Sequence, residues 1–433
     1  MHAAAGAMAL GAVCVCVAAA PPGVVPAPAP VPVPVSAAGA PLVTVPLRGS
    51  GAVVTGELVD VSSGGLRVRL PGGGARTVWY SWDMVRADAE PAFKPYAELS
   101  ESALRARLRA ERGDLAMAER ELGHMVELLG EPWPTPGPTG ALCAEGLVRC
   151  RLARGWRIGA TWSWLAWIAT RSEANTWVGG GMRGEPAVDI ATGLCPQLPP
   201  IYSARMDGDA IRASTDSPEW AKLRGSPGLT GELAEYYAAA MAFEASKSAS
   251  EGSVLAGKAP TTQGAQLVWE VVMSRVGEPD ARKAARDKLT RRIESIDGLA
   301  STVRTGPENP DAALPAMSDG PRDALNARWV EAWAHAAIGR SLLMEAELGQ
   351  RRMGVLELLH IPARFGDVMP GLAALCLTEA AGELEAMGDA GAAARLRADL
   401  DARFLNTGAA GSEKPTPSTK PPAKKTTNEK RNR

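Results

Sequence analysis

Three kinds of residue in this chain have the chemistry for a functional site, and their spacing decides what each can do. Trp156, Trp162, Trp164, Trp167 and Trp177 crowd into one stretch between Gly155 and Ala204. Flat aromatic faces stack on sugar rings or on a peptide, which makes Trp162, Trp164, Trp167 and Trp177 the candidate binding residues. Helical geometry sets core packing against that reading. Trp164, Trp167 and Ile168 share one face of a helix while Trp162, Leu165 and Ala169 fill the other, so both sides call for burial.

Carboxylates come next. Glu173 and Asp189 lie beside the tryptophans, and paired acids in an aromatic cleft are what an exported glycoside hydrolase uses. Neither acid has a motif around it, so a catalytic role rests on proximity alone, and no catalytic residue is assigned. Histidine and cysteine give no metal site. His124, His335 and His360 stand far from any cysteine pair and no CxxC occurs. Cys143 and Cys150 are seven apart on one helix, about 10.5 Å along its axis, too far to bridge each other. A Cys195 to Cys376 disulfide stays open for an exported chain. Gly179-Gly180-Gly181 lacks the lysine and helix of a phosphate loop, and Asp207-Gly208-Asp209 lacks the oxygen ligands of a calcium loop. No cofactor is expected.

The elements that position these residues follow from composition and period. The 433 residues are 46% apolar with a net charge of -1, enough for a sizeable core and too balanced to imply nucleic acid or an anionic substrate as a bulk electrostatic partner. Residues 1–20 hold an uncharged apolar run, AAAGAMALGAVCVCVAAA, that resembles a secretory signal segment. Cleavage near Ala20, an uncleaved anchor and a misplaced start codon all fit it. An exported, periplasmic or envelope location is expected. Residues 21–41 are a proline-rich, extended linker, and residues 406–433 are a basic tail too polar to fold by burial.

Between them the period changes once. Over residues 42–89 apolar and polar residues alternate, with turn signals at Gly49-Ser50-Gly51, Ser62-Ser63-Gly64-Gly65 and Gly72-Gly73-Gly74. The stretch GAVVTGELVDVSSGGLRVRLPGGGARTVWYSWDMVRA resembles the Sm-like and SH3-like proteins, and the resemblance implies a small antiparallel β-barrel. The Arg-Gly pair of the Sm RNA-binding loop is missing. Arg67, Arg69 and Arg76 do interleave with Trp79, Tyr80 and Trp82 in the manner of a single-strand platform. Solvent-facing arginines and core aromatics explain the same alternation, and nucleic acid is not an expected partner.

From residue 97 to 405 the period is helical. Leu115, Ala118, Leu122, Val126 and Leu129 follow the break at Gly113-Asp114. Leu372, Leu375, Cys376, Ala380, Leu384 and Met387 lead to Gly388-Asp389, after which Ala393, Leu396, Leu400 and Phe404 continue. A third pair turns at Gly277-Glu278-Pro279. Breaks this short make antiparallel neighbours, and each pair leaves a stripe that only further helices cover. RGDLAMAERELGHMVELLGEP resembles the second half of a tetratricopeptide unit, with Gly113 at the turn, Ala118 as the small residue at the crossing, Leu122 as the bulky one and Pro132 at the close. Ala393 takes the small position in the last hairpin. The Trp-Leu-Gly and Tyr positions of the family's first helix are absent, and the hairpins do not recur at 34 residues. The resemblance implies an irregular, mainly α, tetratricopeptide-like array that binds a protein or peptide, with an exported hydrolase or glycan binder built on residues 156–201 as the alternative. Glu379, Glu383, Arg395 and Asp399 are expected on a polar outer face of the last hairpin.

Overall fold

The structure is a computed structural model. It describes residues 41–405 apart from 50–51, 72–75, 132, 172–176, 185–186, 190–191, 216–217, 247–254, 256–257, 259 and 305–319. The signal-like segment, nearly all of the linker and the basic tail lie outside the described residues. The described residues all belong to one compact unit.

The alternating segment forms β1 (Leu42–Pro46), β2 (Val53–Ser62), β3 (Gly65–Arg69) and β4 (Thr77–Tyr80), an antiparallel meander. A fifth strand, β5 (Trp177–Val178), arrives from far along the chain and pairs parallel to β4, with Trp79 opposite Trp177 and Tyr80 opposite Val178. The order is β1-β2-β3-β4-β5, with β1 and β5 as its two edges, so the sheet is open and mixed, and the expected closed barrel does not form. The reason lies in what covers the apolar face. After β4 the chain enters short turns that carry Trp82 and Phe93 inward, and helices then pack on the sheet. Val45, Leu66, Val68, Trp82 and Phe93 share one buried cluster with Ala103, Ala106, Leu122, Met125 and Leu142. A sheet whose apolar face is covered by helices has no need to close on itself. Asp83, fully buried at the exit of β4, pairs with Arg107 on the first helix and ties the two layers together. Burial outweighs that partner and holds the Asp83 carboxyl above its ordinary value.

Helices account for most of the rest. They are α1 (Ala97–Glu111), α2 (Leu115–Leu129), α3 (Pro138–Ala153), α4 (Arg157–Thr170), α5 (Ala204–Thr215), α6 (Pro218–Arg224) and α7 (Leu229–Ser246). Then follow α8 (Gln263–Val276), α9 (Pro279–Arg304), α10 (Gly320–Leu342), α11 (Leu348–Arg364), α12 (Pro370–Ala386) and α13 (Ala390–Leu400). Packing is mainly between chain neighbours, with α4 and α8 both against α7 and α8 also against α10. The three hairpins read from short breaks are present as α1/α2, α8/α9 and α12/α13.

Two of those hairpins turn in the same way for a readable reason. Gly113 and Gly388 have φ of 82° and 89°, the left-handed region that glycine enters without a Cβ clash. The following aspartate sends its N–H back to the carbonyl five residues earlier, Asp114 to Arg109 and Asp389 to Leu384, both at 2.9 Å. Its side chain then caps the next helix, Asp114 accepting from Met117 N at 3.4 Å and Asp389 from Ala392 N at 2.9 Å. Ala118 and Ala393, the small residues assigned to the crossings, are fully buried. A closer crossing joins α10 to α11, where a Cβ on Gly339 would fall 2.9 Å from the Gly354 carbonyl oxygen and one on Gly354 would fall 2.8 Å from that of Gly339.

The aperiodic end of the tryptophan stretch holds only β5 as regular structure among its described residues, and its apolar side chains pack into the main core. Val188, Leu194, Cys195, Leu198 and Ile201 join Trp164, Tyr237, Val268, Trp333 and Leu375 in one buried cluster.

Candidate functional site

Glu244 near the end of α7, Arg275 near the end of α8 and Glu379 on α12 form the floor of a cleft of ≈ 510 Å³, and Arg340, buried near the end of α10, joins them there by ion pairs. Each sits in an otherwise apolar helical run, so each is carried inward by the packing of its neighbours. Arg340 donates to Glu379 from Nε at 2.9 Å and from Nη2 at 3.0 Å, and Nη2 also reaches Glu244 at 2.9 Å and the Tyr202 carbonyl at 2.5 Å. Arg275 donates from Nε to Glu244 and from Nη1 to the Arg340 carbonyl, both at 3.0 Å. The second of these bonds satisfies an orphan carbonyl at the end of α10.

Charge balance keeps Arg340 and Glu379 ionised. Burial pulls the Arg340 guanidinium down, but the carboxylates of Glu379 and Glu244 outweigh it and raise the group above its ordinary value. For Glu379 burial pushes upward, and the Arg340 charge and hydrogen bonds more than offset it, leaving the carboxyl below its ordinary value. Arg275 is lowered by burial and by repulsion from Arg340. A carboxylate bound by a guanidinium and held low is a poor proton donor near neutrality. Glu379 is therefore held as a carboxylate near neutrality.

Above the floor the walls divide by chemistry. Phe243, Leu343, Met344 and Ala386 supply apolar surface, and Arg205 and Glu383 supply charge. Glu383 is held from α11 by Arg351. Gly382 lets the Arg205 guanidinium lie directly against α12, since a Cβ there would fall 2.1 Å from it. The expectation that Glu379 and Glu383 lie on a polar outer face is corrected. Glu379 is 12% exposed at the cleft floor, because α12 presents that face to α10.

The tryptophans lie elsewhere. Trp164 is fully buried, donating from Nε1 to the Gly193 carbonyl at 2.9 Å and packing on Tyr237 with ring centroids 5.2 Å apart. Trp167 is 7% exposed beneath the Arg171 guanidinium. Trp162 meets Trp220 at a tilt with ring centroids 4.8 Å apart, and Trp177 sits edge-on to Trp79 at 6.3 Å. The Arg171 guanidinium that covers Trp167 also lies 6.0 Å from the Trp177 ring. Of the two acids, Glu173 lies outside the described residues, and Asp189 closes a turn by accepting from Thr192 Oγ1 at 2.6 Å.

The remaining motifs resolve locally. Trp79, Tyr80 and Trp82 are buried, and Arg67 lies over Trp79 at 4.2 Å, so the faces that would stack bases are occupied by protein. Asp207 accepts from Ser203 N at 2.9 Å at the start of α5, and Asp209 pairs with Arg212. His335 is bonded through Nδ1 to Glu357 at 2.6 Å and stacks on His360. No group of three or more His, Cys, Asp or Glu suited to a metal occurs among the described residues. Cys143, Cys150, Cys195 and Cys376 are free and buried, so the open Cys195 to Cys376 pairing is not formed. Burial pushes the Cys150 and Cys195 thiols up to about 12 each. No helix among the described residues is long and apolar enough to cross a membrane.

Sequence reasoning missed the four-residue charge cluster. The signal was available in single charges set in apolar helical runs, Glu244 in AAAMAFEAS, Arg340 in AHAAIGRSLL and Glu379 in LCLTEAAG. A buried charge requires a partner, but sequence alone does not say which of these find one another. Comparison with protein-family models, with curated proteins and with solved structures found no match to this chain.

Proposed function

We propose that this protein is an exported, non-catalytic scaffold that holds a protein or peptide segment in the cleft between α7, α8, α10 and α12, on an irregular tetratricopeptide-like array. The observation that carries the reading is the pairing of an apolar wall with a floor whose carboxylates are already engaged by arginines. Such a surface discriminates by shape and charge and offers no free acid or base. The hydrolase alternative needs two inward acids in different protonation states, and Val188, Leu194, Leu198 and Ile201 of the tryptophan segment pack into the core.

A photo-crosslinking residue at Met344, on the cleft wall, tests this in the protein's own cells. The same residue at Arg395, on the exposed side of α13, is the control. Specific protein adducts from position 344, abolished when Ala386→Trp fills the cleft, support the proposal. Equal adduct patterns from positions 344 and 395 overturn it.

A further inference from the structure

A second, partly enclosed cavity of ≈ 250 Å³ lies against another face of α7. It exists because Ala238, Ala239 and Ala242 are small where a larger side chain would fill the space. Its walls include Trp220, 3% exposed and held against Trp162 by the ring contact already described, and the equally buried Leu255. Charge gathers on the lining. Lys258 reaches both oxygens of Glu235 at 2.8 Å, a pair that neutralises itself. Arg224, the last residue of α6, lines the same cavity, is exposed, and has no ion pair or hydrogen bond of its side chain among the described residues. The lining thus carries one uncompensated positive charge beside a hollow with both apolar and polar walls. The indole N–H of Trp220 is also buried with no acceptor among the described residues, an omission that is unfavourable for a buried donor.

We propose that this cavity binds a small amphipathic monocarboxylate, its apolar tail against Ala238, Ala242 and Trp220 and its carboxylate on Arg224. A single guanidinium matches a planar carboxylate through two parallel N–H bonds, whereas a phosphate dianion would need a second free cation. The carboxylate also supplies the kind of acceptor that Trp220 lacks. At about 30 Å³ for each water volume displaced, the space takes roughly eight non-hydrogen atoms, which, with the carboxylate at the mouth on the exposed Arg224, sets the enclosed tail at about six to eight carbons. The site is independent of the peptide cleft.

Calorimetry and tryptophan fluorescence of the full chain with straight-chain carboxylates, and with amines of matched length, test it. Octanoate should bind saturably, with octylamine at least about tenfold weaker, and Arg224→Met should weaken octanoate by about the same factor. Ala242→Phe fills the hollow and should abolish binding with the circular dichroism unchanged; if that chain does not fold, Ala238→Leu serves the same purpose. Ala386→Trp, in the peptide cleft, should leave octanoate binding as it is. Equal affinity for octanoate and octylamine, binding that survives the filled cavity, or no saturable octanoate binding each overturns the proposal.

Discussion

Replacing Arg340 by methionine is the sharpest test of the charged floor. The side chain is 3% exposed and donates four hydrogen bonds, two to Glu379, one to Glu244 and one to the Tyr202 carbonyl. Methionine keeps much of the volume and removes every donor. Glu244 retains the Arg275 bond at 3.0 Å, but Glu379 is left without its nearest cation. Removing one partner of a buried ion pair costs about 3–5 kcal/mol, because the other charge stays buried. A domain of 150–250 residues loses roughly 2–4 °C for each kcal/mol, and a longer chain less, so the melting temperature should fall by about 5–10 °C near pH 7. The pH dependence identifies the cause. In the wild type the Glu379 carboxyl is held below its ordinary value of 4.5, so its stabilisation is present above that pH and is lost only as pH falls through the lower folded value. Without Arg340, burial dominates and raises the folded value, so the variant gains stability relative to the wild type as pH falls from 7 toward 4.5. Adding Glu379→Gln should recover much of the loss at pH 7. A deficit under about 1 kcal/mol, or one equal at pH 7 and pH 5 by thermal melts followed at 222 nm, would refute the account of the floor as a mutually dependent charge cluster.

Three further predictions rest on packing and on local charge. Ala118→Trp and Ala393→Trp should each destabilise by about 1–3 kcal/mol or more through overpacking, since both positions are fully buried, and unchanged melting temperatures would place the helix crossings elsewhere. Gly123→Ala and Gly339→Ala should differ in sign. A Cβ on Gly123 meets nothing within 4 Å and gains roughly 0.5–1 kcal/mol of helix propensity, whereas one on Gly339 lies 2.9 Å from the Gly354 carbonyl oxygen and forces α10 from α11. His124 accepts the influence of Glu98 first and Glu127 next, which raises its pKa above 6.5. That small stabilisation is complete below 6.5 and lost as pH rises through the folded value, and an NMR titration should show the His124 midpoint falling in Glu98→Gln.

How much of this was legible depends on whether the determining contact is local. Gly113-Asp114 and Gly388-Asp389 could be read as turns because glycine's left-handed φ and aspartate's cap both act within a few residues. Ala118 and Ala393 could be read as crossings because each lies on the apolar stripe of a helix whose neighbour is fixed by the short turn. The barrel was misread for the opposite reason. Alternation over residues 42–82 fixes strands, but whether they close depends on α1–α3 and on Trp177, which pairs with Trp79 from 98 positions away. The charged floor was the least legible of all, since Glu244, Arg275, Arg340 and Glu379 come from four helices and each alone reads as a solvated charge or a defect. The tryptophan stretch was legible in part. Helical spacing set core packing against a binding platform, and Gly193, Tyr237 and Arg171 supply the partners of the buried Trp164 and Trp167 that the spacing does not name. In this chain the aromatic residues build the core against which α7, α8, α10 and α12 pack, and that packing brings isolated charges on those helices together beside one cleft.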